Sequence, residues 1–257
     1  MKKLIGFDLD GTLAPSKSMM DERMAKLLNQ LLEKFQVLII SGGKYELFER
    51  QVLTQITKDP ALLGRLHLMP TSGTRYYTFD QQANAWKLNY ANDFTPAQKE
   101  KIIKALEDSF EESGFKPEKH YGEFIEDRES QITLSVLGQE IVKELGEDGL
   151  KQKEGWDPDN AKKLKICALV SPKIPEFEVR AAGVTSIDVT QPGVDKAYGM
   201  RKLMEATGLK KEDLLYFGDK VIEGGNDLPV QDMGIDTIAI HNWQNTAQVI
   251  NGILHVI

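Results

Sequence analysis

The stretch LIGFDLDGTL, Leu4 to Leu13, decides how the rest of the chain is read. LIGF is an apolar run long enough for a buried strand and too short for a helix. It ends abruptly in two carboxylates, Asp8 and Asp10, followed by Gly11, which lets the chain turn so that both can face one cavity. The same arrangement recurs outward from this point. QVLII (36–40) reads as a second buried strand and runs into SGGK (41–44), and DLLYFGD (213–219) reads as a third, running into a glycine-rich acidic turn. Between the strands, DERMAKLLNQLLEKF carries apolar residues at helical spacing. KYELFERQVLTQI and KAYGMRKLMEATGL, the latter closed by Gly208, read as further helices, while TIAI and HVI near the end read as short strands. Apolar strands alternating with helices predict a parallel sheet covered on both faces. In such sheets ligands sit at the carboxyl ends of the strands, where these polar motifs fall.

From about Trp86 to Asp188 the pattern changes. FIEDRES, QITLSVLG, LKICALV, FEVRAA and TSIDVTQ read as short strands among helical stretches such as PAQKEKIIKALEDSF. The expectation is an α/β core formed by residues 1–85 and 189–257, with an inserted α+β unit at 86–188 whose sheet is antiparallel.

Bulk properties exclude several classes. A formal net charge of −7 argues against nucleic acid or an anionic membrane as partner. No apolar run approaches the roughly 20 residues of a membrane span, and Asp8 breaks the first one too early for a signal peptide. The single cysteine, Cys167, rules out an intramolecular disulfide, reads as buried filler and fits a reducing cytoplasm. His67, His120, His241 and His255 show no metal-ligand spacing, which argues against zinc.

The motifs suggest phosphate chemistry. In DLDGTL one carboxylate can attack phosphorus while the other exchanges a proton with the leaving or entering oxygen, and Thr12 can brace the turn. In SGGK the Ser41 hydroxyl and the free N–H groups around Gly42 can form a phosphate corner at a helix start. Lys196 sits at the start of a helix, where a cation is disfavoured unless an anion shares the site. The loop from Asp219 through Asn226 and Asp227 suits a hard divalent cation with oxygen ligands. Each motif also has an ordinary reading. DxDG occurs in calcium loops and solvated turns, Ser41 can be a plain N-cap, Lys196 can keep its head in water, and the acidic loop can be surface.

Taken together and in this order, DxDGT, the strand-ending serine, the helix-initial lysine and the GD…ND loop resemble the haloacid dehalogenase superfamily of phosphotransferases. The resemblance covers the core and implies a Rossmann-like parallel sheet with an inserted α+β cap. It implies that Asp8 is the nucleophile and Asp10 the general acid/base, and that Thr12, Ser41, Gly42 and Lys196 bind the transferring phosphoryl group. It further implies Mg2+ on Asp8, on the backbone carbonyl of Asp10 and on Asp219, supported by Asn226 and Asp227. FGDKxxxGGND (217–227), FIExR (124–128) and SxDV (186–189) resemble the branch containing sugar-phosphate phosphatases and the eukaryotic-type phosphomannomutases. By that likeness Arg128, Ser186 and Asp188 of the cap contact substrate, although Arg128 could instead pair with Glu126, Asp127 and Glu129.

The chain departs from the mutase pattern in two places. Ser16 and Lys17 stand where those mutases have an arginine after DxDGT, and SVLGQEIVKELG (135–146) carries Gln139 and no arginine. A mutase must grip a second phosphate, for which lysine does not replace a bidentate arginine fork. The expectation is therefore a phosphatase of a small phosphorylated metabolite, such as a sugar phosphate, with phosphomannomutase as the alternative. A non-catalytic phosphate-binding module would be expected to lack one of Asp8, Lys196 or Asp219. The protein is expected to be a monomer, or a homodimer formed through the cap.

Overall fold

In the computed structural model, which describes residues 2–16 and 18–256, LIGF is a buried strand as its composition demands. Lys17 lies outside the described residues. The strands, in chain order, are β1 (Leu4–Phe7), β2 (Gln36–Ile40), β3 (Leu66–Met69), β4 (Arg75–Asp80), β5 (Ala85–Ala91), β6 (Ile125–Asp127), β7 (Gln131–Ser135), β8 (Glu178–Ala182), β9 (Ser186–Thr190), β10 (Leu214–Gly218) and β11 (Asp236–Ala239). The chain divides into two compact units. One holds the residues up to Asn92 together with those from Val194 onward, and the other is Asp93–Gly193.

The first unit is built on a sheet in the order β11-β10-β1-β2-β3-β4-β5. From β11 to β3 every pairing is parallel, and β4 and β5 extend the sheet as an antiparallel hairpin. Both faces are apolar and covered. Ile5, Phe7, Val37 and Ile39 pack on one side against Leu28, Leu31 and Ile250, while Leu4, Leu38 and Ile40 pack on the other with Met200 and Leu203. Helix Glu22–Lys34 starts where the Asp21 carboxylate accepts from the Arg23 N–H, and it buries Met24, Leu27, Leu28, Leu31 and Leu32 at helical spacing. The second unit carries an antiparallel sheet in the order β6-β7-β9-β8. Its helices Pro96–Ser113 and Ala161–Val170 bury Leu106, Phe110, Ile166 and Val170 in one apolar cluster with Ile132, Leu134 and Ile187 of the sheet. The molecule is thus α/β, with a largely parallel sheet and a separate α+β unit. No helix among the described residues is long and apolar enough to cross a membrane.

Several local expectations are corrected. The division between units falls after Asn92 rather than after residue 85, because β5 pairs along β4 from Asp80↔Ala85 to Arg75↔Ala91 and so belongs to the first sheet. The return falls after Gly193 rather than after residue 188, because β9 runs on to Thr190. LKICALV is helical: Lys163, Ile166, Cys167 and Val170 recur at helical spacing and are buried, while Leu164 is exposed. HVI belongs to helix Trp243–Val256, which turns Ala247 and Ile250 into the core. KYELFERQVLTQI is an α-helical turn, Tyr45–Phe48, followed by a π-helical one, Glu49–Leu53.

The helix that begins at Lys196 is held by an unusually close approach. A Cβ on Gly199 would lie 2.4 Å from Ile40 Cδ1 and, behind that movable side chain, 2.9 Å from the Ser72 carbonyl oxygen and 3.2 Å from the Gly73 Cα, and Gly73 itself has a φ of +88°. Backbone meets backbone here, so neither side can yield as a side chain would. We predict that Gly199→Ala costs about 1–3 kcal/mol, the usual penalty for overpacking a close-packed interior. Urea unfolding of wild type and variant measures it. Equal stability would show that the helix can shift without cost.

Candidate active site

Three neighbouring parallel strands deliver the polar residues to one sheet edge. Phe7 of β1 lies in register with Phe217 of β10 on one side and with Ile39 of β2 on the other. Asp8, Ser41 and Asp219 therefore follow the ends of adjacent strands. The Asp8 N–H donates to the Phe217 carbonyl at 2.9 Å, which extends the β1–β10 ladder by one step. Leu9 is sealed in the core, and the chain then turns at Gly11, whose φ is +91°. A Cβ on Gly11 would sit 2.6 Å from an Asp219 carboxylate oxygen, so only glycine lets this turn lie against the Asp219 loop.

At the centre is Lys196, the first residue of helix Lys196–Thr207 and only 1% exposed. Its Nζ donates to Asp8 Oδ1 at 2.5 Å and to Asp227 Oδ1 at 2.6 Å. Asp227 is further held by the Tyr216 hydroxyl, donating to Oδ1 at 2.6 Å, and by the Lys220 N–H, donating to Oδ2 at 2.9 Å. One carboxylate oxygen from each of Asp8, Asp219 and Asp227 lies within 4.8 Å of the other two. The helix start is capped by the Asp195 carboxylate, which accepts from the Tyr198 N–H at 2.7 Å.

Burial and charge set the protonation states. Burial, against the opposing pull of Lys196, pushes the Asp8 carboxyl up to about 7, and the Asp227 and Asp10 carboxylates add to the rise. Burial also works against the Lys196 ammonium, but Asp8 and Asp227 outweigh it and hold that group above the ordinary lysine value. For Asp227 burial is again the largest influence, yet the Lys196 charge and the donors around it win, so its carboxyl stays below the usual range. Asp227 and Lys196 are thus the settled ion pair, and Asp8 holds the charge that is hardest to keep. Asp8 and Asp227 share the one buried ammonium, and Asp219, which pairs with Lys220 Nζ at 3.1 Å, brings a third carboxylate beside them. That surplus of hard oxygen donors fits a divalent cation.

The remaining expected residues fall as follows. Ser41 is buried, but the helix begins later, with Lys44 as its N-cap; the Ser41 Oγ accepts from the Gly43 N–H at 3.2 Å and closes a local turn beside Gly42. Thr12 is fully buried, and among the described residues its hydroxyl has no hydrogen-bond partner. Asn226 is exposed beside buried Asp227. Asp10 accepts from the Gln51 side chain at 3.2 Å. Arg128, Ser186 and Asp188 all lie in the second unit. Arg128 donates through Nε and Nη2 to Glu126 Oε2, at 2.9 and 2.7 Å. Asp188 accepts from Thr133 Oγ1 at 2.8 Å, and its carboxyl is raised by burial against the charge of Arg128. Ser186 stands opposite Ser135 in register. Tyr216 and Gln51 were not anticipated. Tyr216 sits in a strand that reads as pure core, while Gln51 reads as one polar residue on a helix.

With this geometry in hand, comparison with known proteins is informative. The chain matches the haloacid dehalogenase-like hydrolase family over residues 5–230, and it belongs to that family. It is 26% identical over 244 residues to a phosphomannomutase of Encephalitozoon cuniculi, a match spanning 89% of this chain and 84% of that one. It is 24% identical over 234 residues to a Mycoplasma genitalium chain provisionally named a phosphatase, spanning 84% and 81% respectively. Among solved structures, a truncated Plasmodium falciparum IMP-nucleotidase shares the fold, with a TM-score of 0.69 at 18% identity over 99% of this chain and 71% of that one. The chain is accordingly an enzyme of the phosphatase- and phosphomannomutase-like hydrolases.

The elevated Asp8 predicts a pH effect of definite sign. The folded protein holds this proton more tightly than the unfolded chain, whose carboxyl titrates near 3.8, so without metal Asp8 costs stability as the pH rises from about 4 to about 7. Removing the charge removes the effect. In chelator, the stability of wild type relative to Asp8→Asn should fall across this window and level off above it. A difference that does not change with pH would contradict the assignment.

Proposed function

We propose that this haloacid dehalogenase-like hydrolase is a magnesium-dependent phosphomonoesterase that forms an aspartyl-phosphate on Asp8. Its substrate would be a small phosphorylated metabolite, in the first instance a sugar phosphate. The observation that carries the reading is the buried Asp8–Lys196–Asp227 cluster beside Asp219. An inert binding fold has no use for a nucleophile kept short of charge until a cation arrives.

The steps follow from the residues. The Asp8 carboxylate attacks phosphorus, and the bond from phosphorus to the ester oxygen breaks. Asp10 gives its proton to that oxygen, so the alcohol leaves neutral. Water then attacks the phosphorus and passes a proton to Asp10. The bond to Asp8 breaks, releasing phosphate and restoring both carboxyl groups to their starting states. Lys196, already desolvated between two carboxylates, can turn part of its charge to the phosphoryl oxygens without reorganisation. The buried hydroxyl of Thr12 and the turn at Ser41 and Gly42 supply donors for the same oxygens. Mg2+, held by Asp8, the Asp10 carbonyl and Asp219 with Asn226 and Asp227 nearby, would supply positive charge that keeps Asp8 ionised and eases its approach to a dianionic ester. In the second unit Arg128, Ser186 and Asp188 are the proposed contacts to the leaving group. The lone cysteine, Cys167, is buried and unpaired, which suits a reducing cytoplasm.

Phosphomannomutase activity is the second reading, favoured by the names of the relatives and by FIExR and SxDV. Against it stands the pairing of Arg128. A guanidinium already held by Glu126, on a sheet that also presents Asp188, offers little net charge to a second phosphate. Hydrolysis needs no second phosphate site, because water completes the turnover.

The test is magnesium-dependent phosphate release across a panel of sugar phosphates, with mannose 1-phosphate plus a trace of hexose bisphosphate included to score isomer formation. Release should be abolished by Asp8→Asn, and kcat reduced about 10²- to 10⁴-fold by Asp10→Asn, the usual worth of a positioned acid/base. Isomerisation without release of phosphate would replace this reading with the mutase.

A further inference from the structure

Gln51 is fully buried in the π-helical turn Glu49–Leu53, between the core residues Phe48 and Val52. Its Nε2 donates to Asp10 Oδ1 at 3.2 Å and to the Ser18 carbonyl at 2.6 Å. Both neighbours are acceptors, so the amide nitrogen, and not its oxygen, must face them. Among the described residues the Gln51 Oε1 has no hydrogen-bond partner. A buried carbonyl without a donor is a cost that a methionine of similar size would avoid. What the amide contributes must therefore lie in its two donated bonds. The backbone joins in: the Gln51 carbonyl accepts from the Met20 N–H at 2.9 Å. One residue thus ties the segment after the DLDGT turn, through Ser18 and Met20, to the side chain that grips the Asp10 carboxylate. The π-turn, a wider ring than the α-helix allows, is the local distortion that accompanies this grip, and such turns recur at functional sites.

We infer that Gln51 is a positioning residue for proton transfer. By fixing Oδ1 of Asp10 it orients the carboxyl group so that the other oxygen serves the leaving group and then the water. This rests on the proposed aspartyl-phosphate route, in which Asp10 carries the proton. The residue touches neither phosphorus nor the ester in that scheme, and it acts only through Asp10.

Leaving-group dependence separates such a role from plain structural support. A sugar alkoxide needs a proton to depart, whereas p-nitrophenolate does not. Phosphorylation of Asp8 is followed in single turnovers with a hexose phosphate and with p-nitrophenyl phosphate, in wild type, Gln51→Met and Gln51→Glu, with Asp8→Asn as control. Gln51→Met should slow phosphorylation by the hexose phosphate by about 10²-fold, the cost of a misplaced catalytic group, while phosphorylation by p-nitrophenyl phosphate changes several-fold at most. Gln51→Glu, which sets a second carboxylate against Asp10, should show a loss at least as selective. An equal loss with both esters, or none with either, overturns the inference. If wild type forms no phosphoenzyme with either ester, it is the underlying reading that fails, and the two failures are distinct. Should Gln51→Met unfold, Gln51→Glu, which keeps the size and polarity of the side chain, carries the same comparison.

Discussion

An ammonium group buried between two carboxylates is the constraint on which the first unit depends. Removing Lys196, Asp8 and Asp227 from water costs several kcal/mol per ion, and only close mutual pairing offsets it. Each charge therefore needs the others, and each comes from a different part of the chain: the end of β1, the start of helix Lys196–Thr207 and the loop after β10. Tyr216 and the Lys220 N–H complete the pairing of Asp227, so one carboxylate is fully satisfied and the other is not. That inequality makes Asp8, not Asp227, the group whose charge a cation or a substrate would govern. Asp227 pairs with Lys196 while one of its carboxylate oxygens stays within 4.8 Å of those of Asp8 and Asp219.

The surrounding fold serves this arrangement. Parallel strands bring Asp8, Ser41 and Asp219 to one edge because β10, β1 and β2 are immediate neighbours in register. The Gly73–Gly199 approach draws the lysine-bearing helix onto the sheet, and Gly11 lets the turn after Asp8 pass against Asp219. The second unit solves a different problem. Its sheet puts Glu126, Thr133, Asp188 and Arg180 at paired positions on successive strands. Glu126 with Arg128, and Glu178 with Arg180, form ion pairs there, and Asp188 adds a further acidic group.

Much of the core was legible because its signals are local. An apolar run ending in a carboxylate marks a buried strand and the point where it stops, and this held for β1 and β10. The failures came where a short apolar run could satisfy either period. LKICALV reads as a strand until the burial of Lys163, Ile166, Cys167 and Val170 reveals a helical stripe, and HVI is the tail of a helix whose stripe begins several residues earlier. The β4–β5 hairpin was hidden because alternation in RYYTFD and AWKLNYA looks the same whether the strands extend one sheet or start another. Tyr216 was invisible as a ligand of Asp227, since an aromatic in LLYFG is first of all core. Gln51 carried a faint signal: it falls at helical spacing between Phe48 and Val52, on an apolar stripe where an amide has no packing reason to be.

Where the phosphate goes decides between covalent transfer through Asp8 and binding alone. Acid-quenched enzyme caught during magnesium-dependent turnover, then digested and mapped by mass spectrometry, should carry phosphate on the peptide containing Asp8, in a form cleaved by hydroxylamine as an acyl phosphate is. Active enzyme that carries no phosphate on that peptide, or carries it on another residue, would contradict the central claim and leave the buried cluster as a binding device alone.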